Sequence, residues 1–214
     1  MKLAELAKDI YNVNFSTRRE LASTFLRFQE YYESPKFRRK MFTLEEYKKW
    51  YITNSPGGKK TGRFTYYQDW GGFNIPSSVL RPFYQGKFDP LSLKEKKLLD
   101  LFSDKKTRRF YIIGTYGRVG EQLLRHEIAH GLFYINSEYK KETLKILKNV
   151  DKNTRVKIKN YLSSSGGYHP EVWIDETHAH IIGNLEELGK AGVDISKIRE
   201  VNKELNSLLF NYLS

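Results

Sequence analysis

Two histidines four residues apart, in His126-Glu127-Ile128-Ala129-His130, restrict this chain more than any other feature. Side chains at that spacing stand on one face of an α-helix, so both imidazoles can reach a single metal ion. Glu127, rotated by about 100° from His126, then lies beside a water on that ion. The flanks suit a helix buried against a core, because Leu124, Ile128, Ala129, Gly131 and Leu132 carry no charge. The plain alternative is a surface helix with two solvated histidines, and a charged residue at 128 or 129 would have marked it.

The sequence contains no cysteine. Disulfides and thiolate ligands are therefore excluded, and any metal must be held by His, Asp or Glu. Aromatic residues make up 14% of the 214 residues, enough for a real core and against wholesale disorder. The first twenty residues lack the apolar run of a signal peptide, and no stretch approaches the eighteen apolar residues of a membrane span. A cytoplasmic location is expected, although an effector or toxin exported without a signal would read the same. The net charge of +12 can mark nucleic-acid binding. The lysines are spread along the chain, however, so the charge reads mostly as a solvated surface, with nucleic acid a less favoured partner.

Coarse periodicity divides the chain. Thr17 with Glu20 and Thr43 with Glu46 form capping boxes ahead of helical patterns, so the amino-terminal third reads as helices. Residues 54–60, Asn-Ser-Pro-Gly-Gly-Lys-Lys, read as a loop. The aromatic stretch from Phe64 to Pro90 suggests one short strand and irregular structure packed as core, with a substrate-binding shelf as the rarer use. Ser92 and Glu95 cap a further helix. Phe110 to Tyr116 is the clearest strand, and the motif helix follows over about Val119–Tyr134. Residues 138–162 suggest two basic helices broken near Asp151, with eight Lys and Arg against three Asp and Glu. Ser163 to Gly167 reads as a flexible loop. A helix from Pro170 to about Leu188 and a final amphipathic helix complete the chain.

A catalytic zinc takes three protein ligands and keeps one position for water, so a third ligand must come from beyond the motif. Glu176, 46 residues after His130, and the nearby Asp175, His178 and His180 are the candidates. Positions 133 and 136 are Phe and Asn, which fails the metzincin continuation, and a deformylase-type cysteine is missing. Glu176 followed by Ala179 and His180 resembles the second-helix motif of gluzincin zinc metallopeptidases. Those families carry Asp or Asn where this chain has His180. The resemblance covers about Phe110 to Leu188 and points to no particular family within that group.

The resemblance implies one Zn2+ per chain, bound by His126, His130 and Glu176, with His180 and His178 as supporting residues or alternative ligands. Glu127 would be the general base for hydrolysis of a protein or peptide substrate. Tyr168 and His169 are the candidate donors to the oxyanion. It also implies an edge strand above the cleft, to which an extended peptide adds, and Phe110–Tyr116 is the candidate. The expected fold is α+β, mainly helical with a small antiparallel or mixed sheet. Its zincin-like catalytic core has an active-site helix and a second, ligand-bearing helix. Residues 1–105 form a helical, aromatic-rich region packed on a catalytic region of residues 106–214, which carries the basic insertion at 138–162. Two other readings stay open. One is a non-peptidase metal-dependent hydrolase on the same scaffold, and the other is a basic module that binds nucleic acid or acidic proteins around a structural metal.

Overall fold

The computed structural model describes residues 1–165 and 168–213. Its α+β architecture is mainly helical with one small mixed sheet of four strands. The chain divides into two compact units. Unit 1 comprises residues 1–5 and 11–118, and unit 2 comprises residues 6–10 and 119–214. No helix among the described residues is long and apolar enough to cross a membrane.

The amino terminus begins with two strands, β1 (Lys2–Ala7) and β2 (Ile10–Phe15), where helices were expected. Tyr11, Val13 and Phe15 are buried and alternate with Asn12 and Asn14, the period-2 signal of a strand with one buried face. Helix α1 (Arg18–Glu33) follows, its first turn closed by the Glu20 N–H donating to the Thr17 hydroxyl. Helix α2 (Leu44–Asn54) has the full reciprocal capping box between Thr43 and Glu46. The expected loop at 54–60 is mostly the short helix α3 (Pro56–Thr61), capped by Ser55 and started by Pro56. A Cβ on Gly58 would lie 2.3 Å from the Tyr51 carbonyl oxygen, so only glycine lets α3 sit this close to α2.

Helix α4 (Tyr66–Asp69), strand β3 (Phe73–Pro76), helix α5 (Leu80–Tyr84) and helix α6 (Leu93–Asp100) lead to β4 (Tyr111–Tyr116). Ser92 and Glu95 form the expected box on α6. Strands β3 and β4 run antiparallel, with Phe73 opposite Gly114 and Pro76 opposite Tyr111. Gly114 is where α1 crosses the sheet: a Cβ there would stand 2.8 Å from both Leu21 and Phe25. Tyr66, Phe73, Phe83 and Phe88 are buried, so the aromatic stretch is core. The sheet order β1-β2-β4-β3 corrects one expectation. β4 is flanked on both sides and cannot accept a peptide as an added strand, because its backbone groups already serve β2 and β3.

Unit 2 is helical. It contains α7 (Glu121–Ile135), the basic pair α8 (Ser137–Leu147) and α9 (Lys152–Ser165), then α10 (Trp173–Gly183), α11 (Leu185–Lys190) and α12 (Arg199–Leu213). The break near Asp151 is as expected, with Asp151 capping α9 through the Asn153 and Thr154 N–H groups. Ser163–Ser165 continue α9 instead of forming a loop, and Gly166 and Gly167 lie outside the described residues. A 3-10 turn at Pro170–Val172 opens α10, which stops at Gly183 rather than running to Leu188. Leu205, Leu208 and Leu209 bury the inner face of α12.

Candidate metal centre

The site is built on α7 and α10, which pack against each other within unit 2. Residues that let two helices approach closely are small, and α10 supplies Ala179 and Gly183 on the face that meets α7. A Cβ on Gly183 would lie 2.7 Å from the His126 Cβ and 2.8 Å from the Gln122 carbonyl oxygen. That close crossing brings His126, His130 and Glu176 together, each offering a ligand atom within 4.8 Å of the others. All three are buried, with relative exposures of 6%, 1% and 2%.

The geometry can be tested against a tetrahedral ion. Zinc–nitrogen bonds of about 2.0–2.1 Å at a tetrahedral angle place two nitrogens roughly 3.3 Å apart. The His126 and His130 Nε2 atoms stand 3.2 Å apart. Glu176 Oε1 lies 3.7 Å from His130 Nε2, slightly wider than the ideal edge. The donor set therefore fits a divalent cation, and the cluster could hold one.

Charge within the cluster follows the same pattern. Burial, together with the neighbouring His130 and His180, holds His126 well below the usual imidazole range. Burial opposes protonation of His130 too, but the carboxylates of Asp175 and Glu176 outweigh it and hold that ring well above the range. Burial pushes the Glu176 carboxyl up to about 8. Glu176 and His130 thus act on each other's charge, and binding a cation to such a cluster displaces whatever protons its donors hold.

Surrounding residues were less legible. Asp175 Oδ1 is 2.9 Å from His130 Nδ1, the arrangement that fixes the tautomer of a metal-ligating histidine. Sequence reasoning had set Asp175 only among the alternative ligands. Its position next to Glu176, one helical step around, was the available signal. Gly183 was missed as well, although Glu176, Ala179 and Gly183 recur at helical spacing.

His178 is fully buried. Its Nδ1 lies 2.7 Å from the Asp175 carbonyl oxygen and its ring stacks on Phe133, so it stands behind Asp175 and outside the triad. His180 is closer. Its Nε2 is 3.7 Å from Glu176 Oε2, and its ring centroid is 5.0 Å from that of His126. Among the described residues neither ring nitrogen of His180 has a hydrogen-bond partner, and neither has Glu176 Oε2. Burial brings His180 down to about 4, leaving a neutral ring beside Glu176. No family model, characterised protein or solved structure matches this chain. The reading of the site therefore rests on its own geometry.

Glu127 is buried next to His126, at 5% exposure, and its charge acts on both His130 and Glu176. Tyr168 is half-buried, with its ring centroid 6.5 Å from His180. The His169 ring serves the backbone instead, since its Nδ1 accepts from the Glu171 N–H and caps the turn that opens α10.

Proposed function

We propose that the protein is a zinc-dependent metallopeptidase of gluzincin type, hydrolysing peptide bonds of a protein substrate. The observation that carries this reading is the buried triad of His126, His130 and Glu176, with His130 backed by Asp175. His126 and His130 would hold the ion through their Nε2 atoms, and Glu176 would supply the third ligand. Zinc bound there would supply activation of a water near neutral pH and polarisation of a carbonyl. Asp175 holds the proton of His130 on Nδ1, leaving Nε2 free to bind. The Glu127 carboxylate takes a proton from the attacking water and passes it to the leaving amine. Tyr168 is the candidate donor to the developing oxyanion, since the His169 ring is used as a cap.

The test combines metal analysis with cleavage of an unfolded protein substrate. Wild type should carry about one zinc per chain and cleave, with loss of cleavage on chelation and recovery on adding zinc. Glu127→Gln should keep zinc and lose cleavage, while His130→Ala should lose both. Undiminished cleavage by Glu127→Gln would end the proposal. One observation favours a second reading, a metal that serves folding alone: Glu127, His126 and the other two ligands are all at most 6% exposed. In that case chelation would unfold the protein, and no substrate would be cleaved at any zinc content.

A further inference from the structure

Unit 1 carries a feature that the metal centre leaves unexplained. Between α1 and α2 the chain reads Lys36-Phe37-Arg38-Arg39-Lys40-Met41-Phe42, four cations in five positions. The fold separates them. Arg38 turns onto Tyr32, its guanidinium bonded to that residue's carbonyl oxygen and lying over its ring. Lys36 and Lys40 instead line one wall of a groove of about 540 Å³, and Lys49 of α2 lines the other. Phe37, Phe42 and Trp50 line the same groove, with the Phe37 ring 5.4 Å from Trp50 and 4.7 Å from Phe42. Met41, 65% exposed, belongs to the lining as well.

Lys36 lies over the Phe37 ring at 5.8 Å and Lys49 acts on the Glu46 carboxylate, yet none of the groove lysines is neutralised by a direct ion pair among the described residues. Glu46 is the acidic side chain of the lining, and its Oε2 is already committed to the Thr43 N–H and hydroxyl. Three cations against one anion leave the groove net positive beside Trp50, which is half-buried and packs edge-to-face on the buried Phe37 ring. An acidic peptide would match the lysines and make no use of the rings. A nucleic-acid strand matches both, because its phosphates take the cations and any base can stack on an aromatic face.

We propose that this groove binds single-stranded nucleic acid, with phosphates at Lys36, Lys40 and Lys49 and a base stacked on Trp50. The site is independent of the metal centre and does not require peptidase activity.

A fluorescein-labelled single-stranded DNA of twelve nucleotides, titrated with the full protein and read by anisotropy from 50 to 200 mM salt, tests it. The Lys36, Lys40 and Lys49→Gln triple variant should weaken binding and flatten the slope of log affinity against log salt by about 2, at roughly 0.7 per phosphate contact. Trp50→Leu should lose about tenfold in affinity with the slope unchanged, as expected for one stacked base. A second triple variant, Lys140, Lys141 and Lys145→Gln on α8, removes the same charge elsewhere and should bind like wild type. The proposal is overturned if the two triple variants weaken binding equally. It is also overturned if poly-glutamate displaces the strand as well as unlabelled DNA does at matched charge, which would mark the groove as a surface for acidic proteins. The lysines are exposed, so the triple variants decide the matter even if Trp50→Leu fails to fold.

Discussion

Asp175 Oδ1 lies 2.9 Å from His130 Nδ1, while the other nitrogen of the same ring faces His126 at 3.2 Å. One imidazole is thus gripped from behind by a carboxylate and offers its front to the cluster. The same Asp175 is reached by His178 at 3.4 Å from Nδ1 to Oδ1. Asp175 therefore couples the candidate ligand shell to the buried packing of α10.

Replacing Asp175 by Asn should keep the fold and weaken the metal. Removing a carboxylate behind a ligating histidine costs about 10–100-fold in affinity. Competition with a chromogenic chelator would measure this on wild type and variant. Equal zinc affinity in the two would show that His130 needs no orientation from Asp175.

The helix crossing gives a second expectation, this time in stability. Gly183→Val would place a Cβ 2.7 Å from the His126 Cβ and force α7 and α10 apart. Overpacking of this kind costs about 1–3 kcal/mol. Gly120→Ala is the matched control, since its Cβ would meet nothing within 4 Å. Urea midpoints should fall for the first and stay near wild type for the second. Zinc affinity should fall along with stability in Gly183→Val, because the spacing of His126 and Glu176 depends on the same crossing.

Local signals were the legible ones. The boxes at Thr43/Glu46 and Ser92/Glu95 need only four neighbouring residues, and each forms as expected. His126 and His130 were readable from helical spacing, and Glu176 from the resemblance of its segment to the gluzincin second-helix motif, with His180, His178 and Asp175 as alternatives. What depended on distant partners was missed. Lys2–Ala7 is rich in Lys, Leu, Ala and Glu, all good helix formers, yet it is drawn into a sheet as β1. β4 looked like any strand, and its interior place between β2 and β3 is a property of the whole sheet. Residues Pro56–Thr61 contain two glycines and read as loop, but the Ser55 cap and the contact of Gly58 with Tyr51 hold them helical. Asp175 and Gly183 acquire their roles only once α7 and α10 cross.

Unit 1 holds a titratable group of its own. Glu30 keeps a little solvent exposure, but burial raises its carboxyl to about 7, against hydrogen bonds from Tyr66, Tyr47 and Ser34 that favour the anion. In the unfolded chain the same carboxyl titrates near 4.5. The native state therefore binds more protons than the unfolded state between those two values, and stability falls as pH rises through them. The contribution is fully present below about 4.5 and gone above about 7. Glu30→Gln removes this titration, so its stability should vary less than wild type over that window and exceed wild type most at the alkaline end. Urea unfolding at half-unit pH steps from 4.5 to 8, on metal-free protein, reads the difference directly. Parallel curves for wild type and variant would mean that the Tyr47 and Tyr66 hydroxyls stabilise the anion as well as water does.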